Sequence, residues 1–167
     1  MPRYDVPKAA PEPLRQVQLF VNTVDLHNEV EWLPEWLSAH GLEGEDVRAT
    51  ELRETVRALV LANNGVPLPE RARKTFNRAA RRVGLELDER PVLGLARGED
   101  ALDEIVAIVL EAMLEGSWGR LKACRNCRWS FYDYSPNRSA RWCSMQLCGN
   151  RTKTRAYRTR KRSRAVG

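Results

Sequence analysis

The chain has 167 residues, of which 43% are hydrophobic and 30% are charged. This composition is typical of a globular protein and excludes a fibrous or wholly disordered chain. No run of about 18 apolar residues occurs, so no transmembrane helix is predicted. Residues 1–5 lead into no apolar stretch or small-residue cleavage site, so we expect no secretory signal. We therefore expect a cytoplasmic protein that does not act at a membrane.

The net charge of +6 is distributed unevenly along the chain. Residues 1–119 hold 14 basic and 21 acidic residues, whereas residues 120–167 hold 14 basic residues and one acid, Asp133. All four cysteines lie in the same basic third. A chain with this asymmetry is expected to bind a polyanion through its basic end.

Residues 1–117 are predicted to form a helical domain. Residues 1–13 contain four prolines, which indicates an extended arm. Between the fourth and fifth helices, residues 85–88 and 91–95 predict a small β-hairpin. The fifth helix is apolar on nearly all sides, so we expect it at the centre of the domain. Apolar residues at helical spacing predict the five helices over residues 14–29, 31–40, 46–63, 69–83 and 100–115.

No catalytic constellation occurs in residues 1–119, since they contain no glycine-rich phosphate loop, no Ser/His/Asp arrangement and no closely spaced histidine pair. His27 is interpreted as an ordinary surface or core residue. Asn22 and Thr23 lie within an apolar helix face, and we expect buried hydrogen bonds from them to a neighbouring helix; binding of an effector is the alternative. The sequence therefore predicts a protein that is not an enzyme.

The cysteines follow a spacing that is typical of a metal site. Two residues separate Cys124 from Cys127, fifteen separate Cys127 from Cys143, and four separate Cys143 from Cys148. Four thiolates complete the tetrahedral coordination of Zn²⁺ and leave no open position, so we predict one structural zinc ion. Disulfides, an iron–sulfur cluster and redox switching of the thiols are the alternatives.

The fifteen-residue insert between the cysteine pairs is predicted to form a hairpin. Residues 129–134 alternate in character, and residues 135–137 have the composition of a turn. Phe131 and Trp142 are expected to pack over the metal in a core that is too small to fold without it; stacking on bases is the alternative. Residues 118–167 are thus predicted to form a four-cysteine zinc module with a β-hairpin and a basic helix, and the fold class is mainly α.

The chain beyond the last cysteine is strongly basic and contains no acid. On a helix, Arg151, Arg155, Arg158 and Arg162 fall on one ridge, because four, three and four positions separate them. Such a helix suits nucleic-acid phosphates, and a solvated tail is the alternative. No RNP or KH signature occurs, which favours duplex DNA over RNA. The predicted nucleic-acid contacts are Arg138, Arg141, Arg151, Lys153, Arg155, Arg158, Arg160, Lys161 and Arg162.

Motifs in both parts of the chain resemble known families. The C-terminal third resembles the CGNR zinc finger through Cys124-x2-Cys127, Phe131-x-Asp133-x-Ser135, Arg141-Trp142-Cys143-Ser144-Met145 and Cys148-Gly149-Asn150-Arg151-x-Lys153. The helical part resembles the ABATE domain, which is described as a "putative stress-induced transcription regulator", through Phe20-Val21-Asn22-Thr23 and Leu52-Arg53-Glu54. The resemblance implies a bacterial DNA-binding regulator with zinc on the four cysteines. Ala140 departs from the pattern of the finger, which often has an arginine there.

These observations predict a zinc-dependent DNA-binding protein that acts as a transcription regulator and associates with the nucleoid. The alternative is an adaptor that binds RNA or a protein and uses the zinc module as a structural scaffold. The helical domain would bind a small-molecule effector or form a homodimer.

Overall fold

In the computed structural model, the described residues are 8–87, 89, 92–96, 98–150 and 154. The predicted mainly α fold is confirmed, with five α-helices in this part of the chain. They are α1 (Leu14–Val21), α2 (Leu33–Ala39), α3 (Asp46–Ala62), α4 (Glu70–Ala80) and α5 (Ala101–Leu114).

Short antiparallel hairpins connect and follow the helices. The hairpin expected around residues 85–95 is confirmed. Met145–Gly149 form a single wide helical turn. Within the described residues, no helix is both long and apolar enough to span a lipid bilayer. The hairpins pair β1 (Val24–Asp25) with β2 (Val30–Glu31), β3 (Leu85–Leu87) with β4 (Leu93–Leu95), and β5 (Leu121–Ala123) with β6 (Ser130–Tyr132).

Helix α3 lies against α1, α2 and α4 and is the more central helix, which corrects the central place expected for α5; α5 is nevertheless largely buried. Helices α1 and α4 pack against α5, and its Leu102 and Val106 are at most 1% exposed. The Asp100 carboxylate caps its N-terminus by accepting the amides of Leu102 and Asp103 at 2.8 and 2.9 Å. Arg48 of α3 pairs with Asp100 and Asp103 at 2.5 and 2.7 Å, which ties the first turn of α5 to α3.

The first helix is shorter than predicted. A helix was expected over residues 14–29, but α1 ends after eight residues, and residues 24–31 form the β1–β2 hairpin. Polar side chains explain the difference. The Thr23 hydroxyl donates to the carbonyl oxygen of Phe20 at 2.8 Å, and the Asp25 carboxylate accepts two amides of the following turn at 2.9 and 3.1 Å. These local bonds replace the helical ladder, so apolar spacing alone gave the wrong end of the helix.

The helices and the β5–β6 hairpin share one apolar core. Leu121 and Tyr132 are buried in the same cluster as the helix residues, β5 lies against α3, and β6 lies against α1. We refer to residues 8–117 as the helical body and to residues 118–150 as the cysteine module. The domain boundary expected after residue 117 stays a prediction.

The strands of the cysteine module pair differently from the prediction. A hairpin within residues 128–142 is wrong, because β6 pairs with β5 on the other side of the first two cysteines. The chain after β6 instead folds around the buried carboxylate of Asp133, which accepts the amides of Ser135 and Ala140, both at 2.9 Å. Those amides are therefore not free to form a second strand. The turn expected at residues 135–137 is confirmed.

Candidate metal centre and arginine surface

The four cysteines converge on one point. The sulfur atoms of Cys124, Cys127, Cys143 and Cys148 lie within 4.8 Å of one another, and all four cysteines are free. The Sγ–Sγ distances are 3.7 Å from Cys127 to Cys143, 3.8 Å from Cys143 to Cys148 and 3.6 Å from Cys148 to Cys127. Tetrahedral Zn–S bonds of about 2.3 Å give S–S edges of about 3.8 Å, whereas a disulfide bond is about 2.0 Å long. The sulfurs are therefore spaced for one ion.

Backbone geometry fixes the two cysteine pairs. Cys124 directly follows β5, and its amide donates to the carbonyl oxygen of Trp129 at 2.8 Å. The amide of Arg128 returns to the carbonyl oxygen of Cys124 at 2.9 Å, which closes the turn around the first pair. Cys148 lies in the wide helical turn Met145–Gly149. The ligand positions are thus set by the hairpin on one side and by this turn on the other.

The electrostatics of the thiols favour a cation. Hydrogen bonds from the thiols of Cys127 and Cys143 hold the pKa of Cys124 far below its usual value. The same interactions with the Cys124 thiolate raise the pKa of Cys127 to about 12 and raise that of Cys143 further. Four adjacent thiolates repel one another, and a divalent cation would offset that repulsion. An all-sulfur tetrahedral set fits Zn²⁺ with no position open to water, so the zinc is structural.

Aromatic side chains enclose the cysteines. Trp129 and Phe131 are buried against them, and Trp142 packs on the same cluster. Trp32 joins from the helical body. The expected core role of Phe131 and Trp142 is confirmed, and Phe131, at 0% exposure, is not accessible for stacking on a base.

Two family profiles match the chain. The profile of ABATE, described as "Putative stress-induced transcription regulator", matches residues 15–115, which is more than half of the chain. The chain belongs to the ABATE family. A second profile, described as "CGNR zinc finger", matches residues 120–161 and so includes all four cysteines. Neither description is that of an enzyme, and no curated protein gave a significant match.

In this ABATE chain, the two motifs of the helical body meet at a buried arginine. Arg53, which is 4% exposed, donates to the hydroxyl of Thr23 at 3.1 Å, to Glu31 at 2.5 Å and to Glu54 at 2.9 Å. Burial is the largest single influence on Glu31 and opposes its ionisation, but the hydrogen bond and charge of Arg53 and the backbone amides of Leu33 and Trp32 together outweigh burial and lower the pKa of Glu31. The buried hydrogen bond expected at Thr23 is confirmed, whereas Asn22 bonds to strand β6 and not to a helix. The motifs therefore join α1, β2 and α3.

The cysteine module of this ABATE protein carries exposed arginines. Arg125, Arg128, Arg138 and Arg141 are exposed, and we call them the arginine surface. None of them forms an ion pair with another described residue. The amide of Arg125 donates to the carbonyl oxygen of Arg141 at 3.0 Å, so their backbones are adjacent. Sequence reasoning selected Arg138 and Arg141 as nucleic-acid contacts and left out Arg125 and Arg128, each of which directly follows a cysteine of the first pair.

The other charged groups within residues 118–150 form internal bonds. Arg120 donates to the carbonyl oxygens of Asp133 and Ser135 at 2.9 and 3.1 Å, and Lys122 pairs with the Asp133 carboxylate at 3.0 Å. Burial alone would raise the pKa of Asp133, but hydrogen bonds from Ser135, Lys122 and Ala140 lower it to about 2. Asp133 is 0% exposed, so the described surface of the module carries only positive charge.

The remaining predicted contacts lie outside the described residues. Thr154, the only described residue beyond 150, is exposed and has a helical backbone. The basic helix after the last cysteine therefore stays a prediction. The contacts concerned are Arg151, Lys153, Arg155, Arg158, Arg160, Lys161 and Arg162.

Proposed function

We propose that this protein is a zinc-dependent DNA-binding transcription regulator of the cytoplasm and nucleoid. One Zn²⁺ would be ligated by Cys124, Cys127, Cys143 and Cys148, and duplex DNA would contact the arginine surface. The observation that carries the proposal is the exclusively positive exterior of the cysteine module around a tetrahedral thiol cluster.

The arginine surface has the chemistry of a phosphate-binding site. Guanidinium groups donate paired hydrogen bonds to phosphate oxygens, and these four lack a counterion among the described residues. Each phosphate that is neutralised adds about 0.9 to the slope of log affinity against log salt. Four contacts would therefore give a slope of about −3.6, and the basic segment beyond residue 150 would make it steeper.

Zinc would hold the turns that carry these arginines. Arg125 and Arg128 adjoin the first cysteine pair, and Arg141 precedes Cys143 by two residues. When bound, the ion supplies a cross-link between these turns and no chemistry of its own. The arginines themselves would bind and orient the phosphate backbone.

Duplex DNA is favoured over single-stranded RNA by the aromatic residues. Proteins that read single strands stack bases on exposed aromatic rings. Among the described residues of the cysteine module, Tyr134 alone is an exposed aromatic residue, and its hydroxyl donates to the carbonyl oxygen of Ala9 at 2.7 Å. An RNA- or protein-binding adaptor remains the competing outcome of the test below.

A homodimer is proposed through the β3–β4 hairpin. By the strand register, Leu85, Leu87 and Leu93 share one face, and they are 67%, 66% and 62% exposed. The opposite face, with Glu86 and Gly94, lies toward α5. The described residues of this leucine face carry no charge, and an exposed apolar face of this kind would suit a second copy of the chain across a two-fold axis. Sedimentation as a monomer at every concentration would contradict this interface.

A small-molecule effector is proposed for the groove between α3 and α4. Its volume is about 790 Å³, within the range of about 300–1,000 Å³ that is usual for ligand sites. Asp46, Glu51 and Glu54 line it together with Arg71. Because Glu54 is already paired with Arg53 and Arg57, the negative charge that favours a cationic ligand comes from Asp46 and Glu51. A panel of small amines should include at least one that raises the unfolding temperature, and no shift with any amine would count against this effector class.

The DNA proposal is tested by titrating labelled duplex DNA and single-stranded RNA of equal length at several salt concentrations. The double variant Arg125→Ala/Arg141→Ala should bind duplex more weakly, with a slope reduced by about 2. The matched control is Arg73→Ala/Lys74→Ala, which removes two charges from the exposed face of α4. Competition with random duplex would measure sequence selectivity.

The proposal requires that the protein prefers duplex DNA to single-stranded RNA and that this preference persists as the salt concentration rises. The Arg73→Ala/Lys74→Ala control variant should show the same preference. Equal binding of duplex and single-stranded RNA would favour the adaptor. An unchanged slope in the Arg125→Ala/Arg141→Ala variant would remove the arginine surface from the interface.

A further inference from the structure

Asparagine side chains are hydrogen-bonded to both outer edges of one cross-strand residue pair of the β5–β6 hairpin, which we call the rung. Ala123 and Ser130 face each other in this rung. At one edge, Asn64 accepts the amide of Ala123 and donates to its carbonyl oxygen, both at 2.9 Å. At the other edge, Asn22 accepts the amide of Ser130 at 2.8 Å and donates to its carbonyl oxygen at 2.9 Å. Each asparagine thus pairs with a strand residue as another strand would.

Neighbouring groups on the hairpin edges are also bonded to the helical body. Asn63 donates to the carbonyl oxygen of Leu121 at 2.9 Å, and Gln18 donates to that of Ser130 at 3.1 Å. The amide of Tyr132 donates to a carbonyl oxygen of the N-terminal arm at 2.9 Å. A two-stranded hairpin is marginally stable alone, and its buried edges need partners. The helical body supplies these partners on both sides.

The asparagine-bonded rung adjoins the metal centre. Cys124 follows Ala123 directly, and its amide makes the next hydrogen bond of the hairpin, to Trp129. Ser130 stands between Trp129 and Phe131, which both pack against the cysteine cluster. A shift of this rung would therefore move a metal ligand and the wall of the site together.

Loss of either asparagine side chain would leave backbone groups without partners. Asn22 is 1% exposed and Ser130 is 0% exposed, so water does not reach the amide that Asn22 accepts. Asn64 is half-buried and lies just after α3, where it is the sole side chain bonded to the backbone of Ala123 among the described residues.

We propose that Asn22 and Asn64 are positioning residues of the metal centre, which couple zinc binding at the cysteines to the packing of the helical body. The proposal rests on the four-thiolate ligation proposed above, and it is independent of DNA binding. Because coupling between two sites is reciprocal, zinc stabilises the helices to the same extent that the packed helices strengthen zinc binding. The helical body of this regulator thereby senses whether the metal is bound.

Zinc affinity and helix melting test the coupling in the full chain. Asn22→Ala and Asn64→Ala should each weaken Zn²⁺ binding by about 10- to 100-fold in competition with a chromogenic chelator, as expected for residues that support metal ligands. Chelation should lower the melting temperature of the wild-type helices, followed by far-ultraviolet circular dichroism, which reports on helical backbone. The variants should show a smaller difference between the loaded and chelated states. Asn137→Ala, at an exposed turn position, is the control and should change neither quantity.

Several results would overturn the proposal. An asparagine that is merely structural would lower the melting temperature equally with and without zinc and leave zinc affinity unchanged. If an alanine variant does not fold, hydrogen exchange of the wild-type chain tests the coupling instead. The coupling requires that backbone amides of α1 and α3 exchange faster after zinc is removed by a chelator. Unchanged exchange there contradicts the coupling. A wild-type chain that takes up no zinc contradicts the ligation itself, and the coupling is then also wrong; loss of DNA binding alone affects neither.

Discussion

Replacing Asp133 with asparagine is expected to destabilise the zinc-loaded protein by about 2–3 kcal/mol. The carboxylate is 0% exposed and accepts bonds from Lys122 at 3.0 Å, from the amide and hydroxyl of Ser135 at 2.9 and 2.6 Å, and from the amide of Ala140 at 2.9 Å. Its pKa of about 2 lies nearly two units below the ordinary 3.8, and each unit corresponds to about 1.4 kcal/mol. The amide keeps the shape of the side chain but loses the charge that these donors stabilise.

The direction of the pKa shift of Asp133 also determines how its contribution to stability depends on pH. Because the pKa of Asp133 is lower in the folded protein than in the unfolded chain, the contribution is complete above about pH 4 and is lost as the pH falls through about 2. The stability of the variants should therefore be compared at pH 7, where the Asp133 carboxylate of the wild-type protein is ionised. Asp133→Ala should cost more, about 3–5 kcal/mol, because it leaves the buried ammonium of Lys122 without any acceptor side chain.

The free energy of unfolding of both variants can be measured by urea unfolding at pH 7 in the presence of zinc, with circular dichroism and tryptophan fluorescence as probes. Glu111→Gln removes an exposed carboxylate on α5 and should change the free energy of unfolding by no more than about 0.5 kcal/mol. If Asp133→Asn costs no more than this control, the buried carboxylate does not organise the loop after β6 and the reasoning is refuted.

Two further substitutions test the metal centre and the helical body. Cys143→Ser should reduce the zinc content of the purified chain from one ion to much less than one, since a tetrahedral thiolate site loses a ligand; elemental analysis that finds retained stoichiometric zinc would contradict four-sulfur ligation. Arg48→Ala should lower the free energy of unfolding by about 1–2 kcal/mol, because Arg48 joins α3 to Asp100 and Asp103 but is partly exposed; denaturation that shows no loss would mean that solvent screens these pairs fully.

Helices in the chain could be predicted because their apolar residues recur with the helical period. That pattern identified all five helices. It failed where polar side chains compete with the backbone. Thr23 and Asp25 bond to nearby backbone groups and end α1 early, although Val24 continues the apolar spacing. Such local bonds depend on geometry that periodicity does not encode.

The metal centre could be predicted from spacing, whereas its attachment to the helices could not. The intervals between cysteines are short enough to indicate a shared ion. The pairing of β6 with β5 was missed because Asp133 uses the amides that a hairpin within the insert would need. Asn22 and Asn64 bond to backbone groups that are 108 and 59 residues away. Every residue type has these backbone groups, so the pattern of side chains in the sequence does not identify the partner.

The central claim is that a zinc centre formed by four cysteines holds a surface that binds duplex DNA. The most direct test measures the affinity for duplex DNA of the zinc-loaded chain, of the same chain after chelation, and after zinc is restored. We predict strong binding with zinc, a large loss on chelation and recovery when zinc returns. Equal affinity in all three states would contradict the account, because the basic residues would then bind DNA without the metal centre.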